Sequence, residues 1–191
     1  YTSPHTLSLH DALPILPREV EEGKGRLALA SPCLIETANA SDAARLIEVL
    51  RGGGLDVAKA DGKAPAAIVL RRDKVKNAFG FPGAYQIGVG EKRIEIVSAD
   101  AAGSIHAAET LRQLMDGKSV ARAVVRDWPA FPVRGFMLDT GRNYQTPDLI
   151  REQIEVMARY KLNVFHFHFT DNPGWRLESK VHPEVNDPAS M

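Results

Sequence analysis

Hydrophobic and polar positions change rhythm several times along the chain. Residues 27–38 (LALASPCLIETA) are apolar enough for one or two strands, broken near Pro32. Ser41 is a suitable N-cap, and Ala43, Leu46, Ile47 and Leu50 then recur at the spacing of one helix face. Gly52, Gly53 and Gly54 follow it. They read as a helix stop, because a phosphate cradle would need a following Lys-Ser/Thr and a strand-to-helix setting. Short apolar runs at 55–58 and 66–70 predict strands. Residues 84–99 alternate around Gly90-Glu91, which predicts a hairpin with Tyr85, Ile87 and Val89 on one face and Ile94 and Ile96 on another. Ile105, Ala108, Leu111 and Met115 make a second helical stripe, with Gly117 as its C′ residue and a strand over 120–125 after it. Asp127-Trp128-Pro129 marks a boundary.

Beyond it the pattern changes. Residues 133–139 are a continuous apolar strand ending in Asp139. Thr146 caps a helix with Pro147 at its first position, and Ile150, Ile154, Met157 and Ala158 form its buried stripe. Residues 161–169 are again a strand, apolar on both faces. Strand, helix and apolar strand joined by short loops predict a right-handed βαβ unit with parallel strands. Asp139 and Arg142 follow its first strand, and His168 and Asp171 end its second. Functional groups at the carboxyl ends of parallel strands are the habit of (β/α)₈ barrels.

Composition narrows the classes without choosing one. The 191 residues are 44% hydrophobic and 25% charged, as in a globular protein. The formal net charge is zero, which gives no support to a nucleic-acid or acidic-membrane partner. No apolar run approaches the ~18 residues of a membrane span. Cys33, the lone cysteine, sits in an apolar stretch and reads as a core residue. Residues 1–15 lack a basic and then continuously apolar start, so they make a poor signal peptide. They are expected to be a non-native or disordered lead, and His5 and His10 in it carry no functional weight.

The chemistry concentrates in NVFHFHFTDNPGWR, residues 163–176. On a strand His166 and His168 point one way, and Phe165, Phe167 and Phe169 the other. A His-x-His pair can hold a divalent ion that activates water, as in amidohydrolase-type barrels. It can also orient neighbouring acids through hydrogen bonds, or be buried without a catalytic part. Spacing alone leaves all three open.

The longer context carries more. RGFMLDTGRNYQTPDLIREQIEVMARYKLNVFHFHFTDNPGWRLESKVHPEV, residues 134–185, resembles the opening of the catalytic barrel of family 20 glycoside hydrolases, the β-N-acetylhexosaminidases. The shared pattern is an RG…LD..R strand end, a helix ending in KLN, and an H-x-H-x-x-D-D/N segment followed by Trp-Arg. AYQIGVGEKRIEIVSADAAGSIHAAETLRQLM, residues 84–115, resembles the end of the small α+β domain that precedes that barrel. The resemblance implies hydrolysis of terminal β-linked N-acetylhexosamines with retention. The substrate's own acetamido oxygen attacks the anomeric carbon, a glutamic acid protonates the leaving oxygen, and an aspartate steadies the acetamido group. It implies no cofactor and no metal, and as partners glycans containing N-acetylglucosamine or N-acetylgalactosamine.

Residue by residue, Arg142 matches the arginine that binds hydroxyls of the terminal sugar, or it pairs with Asp139, or both. Asp171 matches the aspartate that bonds a histidine on a later strand and through it supports the acid. His168 joins the same polar layer, and His166 lies deeper as a structural residue. Asn172 stands where many relatives have a second aspartate, so a role needing a carboxylate there fails. Trp175 and Arg176 read as loop packing, Trp128 as packing at a domain junction, His106 as a packed or exposed helix residue, and His182 as exposed. The catalytic Asp-Glu pair has no counterpart here. The only adjacent carboxylates are Glu21-Glu22, in a polar lead-in.

The expected architecture is therefore an α+β domain, a sheet with two helices, over 16–126. The first β/α units of a truncated (β/α)₈ TIM barrel follow over 127–191. The parent enzyme's Asp-Glu pair is expected beyond Met191, and the chain alone should hydrolyse nothing. The alternatives are a metal-dependent barrel hydrolase of amidohydrolase type and a non-catalytic carbohydrate-binding module.

Overall fold

A computed structural model describes residues 16–78, 80–172 and 174–186. The lead at 1–15, with His5 and His10, lies outside the described residues. The chain divides into two compact units, Tyr1–Ala130 and Phe131–Met191.

The first unit is one mixed sheet carrying two helices. Its strands are β1 (Glu19–Ala28), β2 (Cys33–Thr37), β3 (Val57–Lys59), β4 (Ile68–Arg72), β5 (Tyr85–Val89), β6 (Ile94–Ser98), β7 (Met115–Asp116) and β8 (Ser119–Asp127). Their order is β1-β8-β5-β6-β4-β2-β3, with β7 paired to β8 off this path. Strands β2, β3, β4 and β6 pair in parallel, while β1, β8, β5 and β6 pair antiparallel. Helix α1 (Ala40–Gly52) links β2 to β3, and α2 (Ala101–Leu114) follows β6. Leu46, Leu50, Leu111 and Leu114 of the helices share one core with Ile35, Ile68, Leu70, Ile87, Ile94, Ile96 and Val125 of the sheet. Each such side chain stabilises by roughly 1.5–3 kcal/mol through the water it leaves. Cys33 is fully buried there, and burial pushes its thiol pKa up, as suits an inert core residue.

Several sequence expectations change. Glu21-Glu22, expected in a polar lead-in, lie instead in strand β1. As an outer strand it keeps most side chains in water, and Glu21 pairs with Arg126 of β8 at 2.6 Å. The N-cap of α1 is Asn39, whose side chain accepts from the Ser41 N–H, rather than Ser41. The glycine triplet does end α1, and Gly54 has a φ of +82°. In the 85–98 hairpin Ile87 faces Ile96 and Val89 faces Ile94. Directly opposed residues share a face, so the two predicted faces are one buried face. On α2 the buried side comprises Ala107, Ala108, Leu111 and Leu114, whereas Ile105 is exposed. Met115 leaves the helix in an extended conformation, and Gly117 turns β7 into β8 instead of capping α2. His106 is packed: it is buried, with Nδ1 at 2.9 Å from the Gly83 carbonyl.

The second unit opens with β9 (Gly135–Asp139), α3 (Pro147–Arg159) and β10 (Val164–His168). Strands β9 and β10 are parallel and in register, from Val164 opposite Gly135 to His168 opposite Asp139. Two short strands follow, β11 (Thr170–Asp171) and β12 (Gly174–Trp175), paired antiparallel. Thr146 caps α3, its hydroxyl accepting from the Leu149 N–H, with Pro147 inside the first turn. The helix ends in the hydrogen bonds of a Schellman motif, Lys161 N–H to Ala158 O and Leu162 N–H to Met157 O. Lys161 takes the left-handed position with φ +57°, so the strand begins at Val164 rather than at 161. Of the expected α3 stripe only Met157 is buried, and Ile154 is 45% exposed.

Candidate functional site

The site is built where β9 and β10 end. Because the two strands run in register, Asp139 and His168 are neighbours across the ladder. The ladder continues one step, from the Thr140 N–H to the His168 carbonyl. The turn after Thr140 brings Arg142 back over both strand ends. Its backbone N–H donates to Asp139 Oδ1 at 3.0 Å, and its Nε lies 3.3 Å from Asp139 Oδ2. The same Nε donates to Asp171 Oδ2 at 2.8 Å. His168 stands between the carboxylates, Nδ1 at 3.6 Å from Asp139 and Nε2 at 3.9 Å from Asp171. Arg142, His168 and Asp171 thus meet in one cluster, with Asp139 as the fourth member.

Asp171 is held below the ordinary carboxylate range. The Asn172 N–H that its Oδ1 accepts contributes most, then the Arg142 hydrogen bond. The Arg142 side chain is 69% exposed, so its guanidinium lies open at the rim.

Asp139, His168 and Asp171 each offer one potential ligand atom within 4.8 Å of the others. The Arg142 guanidinium already lies against both of these carboxylates, an arrangement that suits a bound cationic side chain more than a metal ion. His166 is outside the trio and is exposed. His166 stands opposite Met137, two positions before His168 and so farther from the strand end, and β10 has β9 as its one paired neighbour among the described residues. Phe165 and Phe167 stack along the opposite face with centroids 5.6 Å apart, and Phe169 meets Phe167 at a tilt, 5.4 Å between centroids.

Other singled-out residues stay apart. Glu21-Glu22 belong to β1 of the first unit. Trp128 packs in that unit too, under the Arg18 guanidinium at 4.9 Å and near Phe81. His182 is exposed and pairs with Glu184 at 3.0 Å. Trp175 donates its ring N–H to the Leu177 carbonyl.

Sequence reasoning gave no role to Arg134 or Asn163, yet they join the starts of β9 and β10. Arg134 donates from Nε to the Lys161 carbonyl at 2.8 Å and from its N–H to Asn163 Oδ1 at 2.8 Å. Asn163 donates on to the Pro132 carbonyl at 2.8 Å. The signal was present in the quoted RG and KLN segments, but no spacing rule links residues so far apart in sequence.

Fold and site define a class: an α+β domain followed by a parallel β/α unit that gathers charged groups at its strand ends, the layout of a β/α-type enzyme. Known families agree in both parts. Residues 14–128 match the family model "Glycosyl hydrolase family 20, domain 2", and residues 131–191 match "Glycosyl hydrolase family 20, catalytic domain". The chain belongs to glycosyl hydrolase family 20. It is 31% identical over 176 residues to the N,N'-diacetylchitobiase of Vibrio harveyi, covering 90% of this chain and 20% of that protein. With the β-N-acetylhexosaminidase of Cellulomonas fimi it shares 36% over 148 residues, 75% of this chain and 29% of the relative. Among solved structures, the β-N-acetylhexosaminidase of Bacteroides fragilis NCTC 9343 superposes with a TM-score of 0.80 at 29% identity, covering 91% of this chain and 36% of that one. The exo-β-N-acetylglucosaminidase of Vibrio harveyi in complex with N-acetylglucosamine gives 0.78 at 28% identity, over 92% of this chain and 28% of the other. The chain therefore spans between a fifth and about a third of these relatives.

Proposed function

We propose that these 191 residues are the α+β domain and the first β/α units of a (β/α)₈ barrel in a β-N-acetylhexosaminidase. The substrate class is glycans with a terminal β-linked N-acetylglucosamine or N-acetylgalactosamine. The observation that carries the reading is the meeting of Arg142 and Asp171 at 2.8 Å on the strand-end rim of a chain from this family. Arg142 is the substrate-binding residue. Its Nε is held by carboxylates, which leaves the fork's outer N–H groups to reach vicinal hydroxyl oxygens of the sugar. Asp171 and His168 support catalysis without touching the reacting bond. A carboxylate kept ionised by Arg142 and the Asn172 N–H can hold a partner histidine in one tautomer, and that histidine can steady the acid. Because no Asp-Glu pair occurs in the sequence, the proton donor and the acetamido-orienting aspartate come from outside these residues. The reading calls for no metal or cofactor.

The test uses the complete polypeptide that carries these residues, assayed on a chromogenic N-acetyl-β-glucosaminide. Specific turnover is expected, and Arg142→Ala should lower kcat/KM about 10- to 100-fold. That is the loss of one charged hydrogen-bond set worth roughly 1.5–3 kcal/mol. No turnover on either N-acetylhexosaminide, or an Arg142→Ala variant as active as the parent, would overturn the assignment.

A further inference from the structure

Arg142 sits on the loop after β9 and Asp171 on the β11–β12 hairpin, and a third side chain ties the two together. Only Thr140 and Gly141 separate the end of β9 from Arg142. The carbonyls of both accept from one guanidinium: Arg176 donates Nε to Thr140 O at 2.9 Å and Nη2 to Gly141 O at 3.3 Å. The Tyr144 ring lies 5.5 Å from the same guanidinium carbon. Arg176 reaches this place because β11 and β12 fold back, Asp171 opposite Gly174 and Thr170 opposite Trp175.

Two glycines make the room. A Cβ on Gly141 would lie 2.7 Å from the Asp171 N and 3.0 Å from its Cβ. A Cβ on Gly174 would lie 2.5 Å from Arg176 Nη2 and 2.8 Å from the Gly141 carbonyl. Both are far inside normal contact, so the backbone before Arg142, the backbone of Asp171 and the Arg176 head form one close-packed node. The Arg176 contacts named here are to carbonyls and a ring, so its part at this node is geometric. Two successive carbonyls suit a rigid fork and not the single ammonium of lysine.

We infer that Arg176 is a positioning residue that fixes the Arg142 loop against the Asp171 hairpin and so sets the geometry of the Arg142–Asp171 pair. Its value for sugar binding rests on the reading of Arg142 given above, but the positioning does not. The test is carried out on the 191-residue chain without any sugar, so that the two can fail separately. The Asp171 carboxyl is followed by ¹³C NMR as a function of pH, and the fold by amide spectra and thermal melting. With Arg176→Lys the Asp171 midpoint should move most of the way to that of Arg142→Ala. Gly174→Ala, which displaces the Arg176 head by crowding, should do the same. In the double variant Arg142→Ala/Arg176→Lys the shift should equal that of Arg142→Ala alone, because Arg176 acts through Arg142. Midpoints left at the parent value in Arg176→Lys and Gly174→Ala, or shifts that simply add in the double variant, overturn the inference. Loss of the second unit's amide spectrum in both variants overturns it as well, by reducing Arg176 to a structural requirement.

Discussion

The depressed Asp171 pKa makes a statement about single residues that can be checked without substrate. Its carboxylate is favoured first by the Asn172 N–H and then by Arg142. A carboxyl whose folded pKa lies below its unfolded value stabilises the fold above the unfolded value, about 3.9 for Asp, and loses that contribution as pH falls through the folded value. Replacing Arg142 by Ala should raise the Asp171 midpoint, so that the contribution is smaller and its loss is complete at a higher pH. It should not restore the ordinary value in full, since the Asn172 N–H remains. A ¹³C titration of the carboxyl decides, and an unchanged midpoint would show that the 2.8 Å contact does not persist in solution. At this scale the sequence was informative about identity and poor about partners. Arg142, His168 and Asp171 stood out by residue type at strand ends. Nothing in their spacing showed that Arg142 would use Nε against Asp171, or that Arg176, read as loop packing, would grip the loop before it.

At the scale of elements, close approach decides more than propensity. Gly103 lies in the first turn of α2, where a Cβ would run into the Ala84 carbonyl and come within 3.3 Å of Ser98 Cβ. Asp100 caps the same turn, accepting from the Gly103 N–H at 2.8 Å and also from the Gly83 N–H at 2.9 Å. Helix propensity alone would make Gly103→Ala favourable by about 1 kcal/mol. Overpacking against a backbone that cannot turn aside costs about 1–3 kcal/mol or more, so a net loss of stability is expected. It should appear in urea denaturation as a lower midpoint with the slope unchanged. A gain in stability would mean that α2 can shift off the sheet at little cost. The first unit's helices and the 85–98 hairpin were legible because each buries an apolar set with its own period, and the second unit's helix and strands because their apolar runs and caps are local, although those strands stay largely exposed among the described residues. Strand β1 was not, because a strand at the sheet's edge can be polar nearly throughout and still pair through its backbone.

For the whole molecule, the core of the first unit is drawn from residues of that unit alone. Residues 16–130 expressed by themselves should therefore unfold in one cooperative transition, with the core amides of β5, β6 and β8 the last to exchange. Non-coincident transitions by fluorescence and circular dichroism would argue against an autonomous domain. The second unit carries Phe131, Val133, Met137, Leu149, Ile154 and Leu177 at or above 45% exposure, a larger apolar display than a strand pair and one helix can cover. On the proposed function the 191-residue chain lacks the acid and should release no chromophore from an N-acetyl-β-glucosaminide. The complete enzyme should keep its full rate after treatment with a chelator, since no step is assigned to a metal. A chelator-sensitive rate would revive the metal-dependent reading.

The amino-acid sequence by itself determined the division into an α+β part and a β/α part, the period of most elements, and the residue types at the strand ends that mark the family. Those properties are local, because burial period, caps and turn residues act over a few positions. Tertiary structure alone decided which strand would lie at the sheet's edge and that two predicted hairpin faces would be one. It also decided how Arg134 and Asn163 close the starts of β9 and β10, and how Arg176 enters between two glycines to hold Arg142 toward Asp171. Each of these depends on the distance between residues far apart in the chain, which pairing and packing set and which no local period encodes.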